Sequence, residues 1–152
     1  GGGGVGVLLA GAPDVANLQV LNAREYRTLD ALAKTLLPSG GPFEIGAERF
    51  DLARAFDGYL AGEPDENVKK LRRALLLYEL GPLLFEGCWT TFSRLSNDER
   101  IRHYEAWAAS DRLVRRQVAV AFRKFMSLVF YDNPEVWPHV GYPGPSLARL
   151  GK

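Results

Sequence analysis

The stretch Ser96–Phe130, SNDERIRHYEAWAASDRLVRRQVAVAFRKFMSLVF, decides what kind of fold this chain can adopt. It opens on a serine followed three residues later by glutamate. That is a capping box, in which Ser96 and Glu99 each satisfy the other's otherwise unpaired backbone N–H. The box predicts a helix, and Ile101, Tyr104, Trp107 and Ala108 recur behind it at helical spacing. Ser110-Asp111 predicts the cap of a second, longer helix reaching about Phe130. Leu113, Val118, Ala121, Phe122, Phe125 and Val129 line its expected inner face. About 20 residues at this rise span about 30 Å, enough to cross a small domain.

The same period continues upstream. Asn22 and Glu25 form a second candidate capping box, and Tyr26, Leu29, Leu32, Leu36 and Leu37 then share one stripe until Pro38 breaks it. Phe50, Ala53, Phe56 and Leu60 predict a short helix ending near Gly62. Another is expected from Asp65 to Leu80, with Val68, Leu71, Leu75 and Tyr78 on its face and Leu76 and Leu80 widening it. Gly81-Pro82 reads as its stop. The apolar run LLFEGCWTTFSRL, residues 83–95, predicts a brief helix or turn buried against the rest. No run alternates as a half-buried strand would. The expected fold is therefore all-α: a compact bundle of about five main helices with an extended C-terminal segment rich in proline and aromatic residues. Short turns make its neighbours largely antiparallel.

A chain of 152 residues fits one domain and is long enough to bury a core without staples. Its net charge of +1 gives no strong field to recruit nucleic acid or an anionic membrane. The single cysteine, Cys88, excludes an internal disulfide and a cysteine-based metal cluster within the chain. Residues 1–13, GGGGVGVLLAGAP, carry no charge. They resemble the tail of an export signal, with small residues at Ala10 and Ala12, or else a flexible Gly-rich terminus. The apolar part is too short to span a bilayer, and no Gly-Lys-Ser/Thr follows the glycines to make a phosphate loop. Residues 14–152 read as one helical domain.

Candidate chemistry is sparse. His103 and His139 have no recognisable serine, cysteine or metal-ligand pattern around them, so both are expected to be structural or surface residues. Cys88 is expected to be a buried, inert thiol. The basic clusters Lys69–Arg73 and Arg112–Arg116 interleave with apolar positions and read as solvated helix faces. Their arginines could also serve a protein contact. No catalytic, cofactor-binding or metal residue is assigned on this chain.

The C-terminal stretch Phe130–Pro145, FYDNPEVWPHVGYPGP, holds Phe130, Tyr131, Trp137 and Tyr142 among four prolines. Four such aromatics represent roughly 600–1000 Å² of burial. The largest apolar patch on an ordinary monomer is only about 300–600 Å². The segment must fold onto its own bundle, lie beneath a partner, or divide its side chains between the two.

Four segments in this order carry a resemblance: LAKTLLP at 32–38, LRRALLLYEL at 71–80, FSRLSNDERIRHYEAW at 92–107, and the long helix running into the terminal stretch. Together they resemble the gluconate 2-dehydrogenase subunit 3 family, the small subunits of membrane-associated FAD-dependent sugar and alcohol dehydrogenases. The most specific elements are Leu95–Arg100 and the Pro-Glu-Val-Trp and Gly-Tyr-Pro-Gly-Pro ending. The resemblance implies a noncatalytic subunit that binds, stabilises and helps export a large FAD-bearing oxidoreductase. FAD would sit on that partner, and haem c on a multihaem cytochrome as a third subunit. It implies a periplasmic or cell-envelope location by the twin-arginine route, with indirect membrane association. The twin arginine itself is not in this sequence. Phe130, Tyr131, Pro134, Trp137, Tyr142 and Pro143 are the expected partner-binding residues. The competing readings are an autonomous enzyme, an independent nucleic-acid-binding helical module, and an export chaperone that leaves after translocation.

Overall fold

The structure, a computed structural model, describes residues 17–38, 46–47 and 50–134. Among them it has no strand. Five helices run in order: α1 Ala23–Leu36, α2 Leu52–Leu60, α3 Asp65–Phe85, α4 Asn97–Ala108 and α5 Leu113–Tyr131. A 3-10 turn, Phe92–Arg94, joins α3 to α4. The all-α expectation holds. Residues 1–16 and 135–152 lie outside the described residues, so the expected export-signal remnant, His139, Trp137, Tyr142 and Pro143 have no structural account.

Both capping boxes form as their spacing requires. The Glu25 N–H donates to Asn22 Oδ1 at 2.8 Å, and the Asn22 N–H donates to Glu25 Oε1 at 2.9 Å. Ser96 and Glu99 repeat the pattern at α4. Helix α1 is central: α2, α3, α4, α5 and the 3-10 turn all pack against it. Eight of its 14 residues are accordingly buried, with polar as well as apolar side chains among them. Thr28 and Thr35 tolerate this because each hydroxyl donates to a carbonyl four residues back, on Arg24 and Ala31.

Helix α3 corrects one expectation. It does not stop at Leu80 but continues through Gly81 and Pro82 to Phe85. Proline costs a helix the bond from its missing N–H and clashes with the carbonyl four residues back. Here it stands in the last turn, where the cost falls on one bond. The Pro82 carbonyl in turn accepts from the N–H groups of Glu86 and Cys88, at 3.2 and 3.0 Å. Gly81 is buried, and a Cβ there would lie 2.9 Å from His103 Cε1 and 3.3 Å from Trp107 Cζ2. This glycine marks a close helix crossing, not a helix end.

The segment after α3 is only partly buried. Leu83, Leu84 and Phe85 finish the helix on an exposed face, and Trp89 is 96% exposed. Phe92 and Leu95 alone anchor the stretch in the core. Cys88, expected to be buried, is half-exposed.

Two inner faces also differ from the periodic reading. On α4 the buried residues are His103, Tyr104 and Trp107, while Ala108 is exposed. On α5 they are Ala119, Phe122, Met126, Val129 and Phe130, while Leu113 is exposed. Helix α5 packs chiefly on α4 and on α2. The stripe facing both neighbours is rotated from the one predicted. The Tyr104 hydroxyl fixes this register by donating to the Ala119 carbonyl at 2.8 Å.

An aromatic cluster closes the core where these elements meet. The Tyr78 ring lies 4.6 Å from Phe92, 4.9 Å from Trp107 and 5.3 Å from Phe122, in edge-on arrangements. Such contacts add to the gain from burial alone.

Candidate functional site

An apolar groove lies on the described surface. Its walls are α3 and α5, and α2 closes one end with Phe56, Tyr59 and Leu60. Helices α3 and α5 each pack against α1. They touch one another through Tyr78 and Phe122 and through Phe85 and Arg115, and the groove runs along their seam. Its volume is about 860 Å³. The α5 wall runs Val114, Gln117, Val118, Ala121, Phe122, Phe125, Leu128 and Val129, spaced three and four apart, with no charged side chain among them. The α3 wall supplies Leu71, Ala74 and Leu77, with Asn67, Lys70 and Arg73 along its lip. Several lining groups face water: Tyr59 is 45% exposed, Leu128 55% and Val114 60%.

Sequence reasoning found part of this groove but assigned it to the core. Val118, Ala121 and Phe125 were expected to be the inner face of α5. They line the groove, while Val118 and Phe125 also pack half-buried against the core, with Phe125 stacked on Phe56 at 5.5 Å. The signal was the width of the apolar arc. Groove and core stripes together cover more of α5 than the roughly 100° that one packed face needs.

The terminal residues divide. Phe130 is 1% exposed and packs edge-on to Phe50 at 6.1 Å, so its ring belongs to the chain's own core and offers no free surface. Tyr131 is half-buried beside Phe130, and Pro134 is exposed. The Tyr59 hydroxyl donates to Asp132 Oδ2 at 2.7 Å, tying the end of α5 to α2. That bond raises the Tyr59 pKa, as does its partial burial.

Several charged groups away from the groove hold the fold together. Asp57 is buried and accepts three backbone N–H bonds, from Gln19 at 2.6 Å and from Val20 and Leu21 at 2.8 Å each. Burial pushes its carboxyl up, but the three N–H donors outweigh that and hold it below the usual carboxylate range. Arg72 reaches from α3 to the buried Glu25 carboxylate at 2.8 Å and to the Val20 carbonyl. It is thus an anchor, not part of a solvated face. Arg115 stacks over Phe85 at 4.2 Å, and Arg116 donates to the Ser110 carbonyl at 2.7 Å.

His103 is buried among Tyr78, Phe92 and Trp107. Its Nδ1–H donates to Glu86 Oε1 at 2.7 Å, and no serine or cysteine among the described residues bonds to it. The ring is a core element that pins α4 to the end of α3. Burial raises the Tyr78 hydroxyl far above its ordinary pKa, so it stays neutral. No group of three or more His, Cys, Asp or Glu among the described residues is placed to hold a metal ion. No helix of the described residues is long and apolar enough to cross a membrane.

Comparisons with models of protein families, with curated proteins and with solved structures returned no match. The resemblance to the dehydrogenase small subunits therefore rests on the residue pattern alone.

Proposed function

We propose that this chain is a noncatalytic small subunit that binds and stabilises a large FAD-dependent dehydrogenase of sugars or alcohols and is exported with it to the cell envelope. The observation that carries this reading is the apolar surface left open on an otherwise well-packed bundle. The groove between α3 and α5 is one part of it. The exposed Leu83, Leu84, Phe85 and Trp89 at the end of α3 are another. Contiguous apolar surface of this kind marks an interaction site, and aromatic anchors of this type dominate interfaces. The pattern resemblance supplies the class of partner. The chemistry, hydride transfer from substrate to flavin, belongs to that partner, with a multihaem cytochrome as the further electron acceptor. The segment beyond Pro134 adds Trp137, Tyr142 and Pro143 to the contact.

Co-expression of this chain with the neighbouring flavoprotein tests the reading. It predicts one stoichiometric complex, which Trp137→Ala weakens or leaves stranded in the cytoplasm. Normal assembly and export of the Trp137→Ala complex would remove the tail from the contact. Failure of the unaltered pair to associate would remove the function.

A further inference from the structure

We infer that the groove between α3 and α5 receives an acidic amphipathic helix of the catalytic partner, an inference that rests on the function proposed above. Three observations select that occupant. The first is shape. Both long walls are helices whose lining residues recur at three- and four-residue spacing, with an open groove along their seam. Ridges at that spacing interdigitate with those of another helix, which docks through its own positions i, i+3, i+4 and i+7. The second is length. From Val114 to Leu128 the α5 wall rises about 21 Å, or about four turns of a helix laid along it.

The third is charge. Lys70 and Arg73 stand on the α3 lip, and neither has a carboxylate partner among the described residues. The opposite wall is uncharged, and Glu63, at the groove's end, already accepts from the Asn67 amide at 2.9 Å. A helix entering the groove is therefore matched by carboxylates on one flank and by apolar residues beneath. The asymmetry sets its rotation as well as its depth, because charge pairs across an interface fix register more than they add affinity.

The test uses the complex purified from its native host, with a benzoylphenylalanine photo-crosslinker placed at Val114 in the groove. The control is the same group at Val120, which faces away from the groove and is 65% exposed. The inference predicts a crosslink from position 114, and none from 120, to a helical segment of the flavoprotein bearing Asp or Glu. It also predicts that K70E/R73E weakens the complex about tenfold or more, and that Lys substitutions at the partner's carboxylates restore it. Three results each overturn the inference while leaving the proposed function standing. One is a crosslink to this chain's own residues beyond Pro134 or to a second copy. Another is a flavoprotein complex that never crosslinks from position 114. The third is a K70E/R73E complex of unchanged affinity. Recovery of the chain with no flavoprotein attached overturns both.

Discussion

Asp57 shows how much one side chain can organise. Its carboxylate gathers the N–H groups of Gln19, Val20 and Leu21 and so pins the segment before α1 against α2. A buried donor left without its acceptor costs about 1–3 kcal/mol. Asp57→Asn keeps one acceptor oxygen but turns an amide N–H₂ toward another donor, so it should lose about 2–3 kcal/mol in denaturant unfolding. The pH dependence follows from the depressed pKa. The stabilisation is complete above the ~3.9 of an unfolded aspartate and is lost as pH falls through the lower folded value. Tm should fall more steeply with acid in the unaltered chain than in Asp57→Asn. Gly81 carries the opposite lesson. Alanine there gains roughly 1 kcal/mol of helix propensity, but its methyl meets His103 at 2.9 Å and Trp107 at 3.3 Å. Overpacking costs about 1–3 kcal/mol, so Gly81→Ala should be destabilising, whereas Gly58→Ala, with open space around it, should not.

At the scale of elements, caps and links carry the register. Asn22→Ala removes one half of the α1 box and should cost about 1 kcal/mol. Arg72→Ala is the more damaging change, because it strands the buried Glu25 carboxylate; with Arg72 itself partly exposed, about 2 kcal/mol is expected in thermal unfolding. Helix starts were legible in the sequence because capping chemistry is local: Asn22-Glu25 and Ser96-Glu99 needed no knowledge of the fold. The end of α3 was not, because Gly81-Pro82 carries the same letters as a stop signal. Only the proximity of His103 and Trp107, more than 20 residues away, shows why the helix runs on. The inner face of α5 was legible only in part for a similar reason: Phe122 and Val129 are buried as expected, but Ala119 and Met126 were missed and Leu113 is exposed. Its apolar arc is wide enough for two stripes, and which one packs is decided by α4 and α2 rather than by the period. The groove was hidden with it, since Phe125 and Val118 look like core residues in either case.

The described residues form helices packed around α1, with a buried core and an apolar surface left open. Trp89, Leu84, Val114 and Leu128 remain in water. A bundle built to act alone would gain by making those positions polar, at no loss to its core. Charging them now should therefore spare the fold and affect association instead. Trp89→Glu is expected to leave the unfolding free energy unchanged within about 0.5 kcal/mol, as is usual for exposed sites, while reducing recovery of the partner. The account as a whole stands on the existence of that partner. Native mass spectrometry of the assembly purified from its host reads this directly. This chain bound stoichiometrically to a much larger chain carrying noncovalent or covalent FAD is the predicted result. The same polypeptide recovered as a lone monomer, with no flavin-bearing chain at any mass, would contradict it.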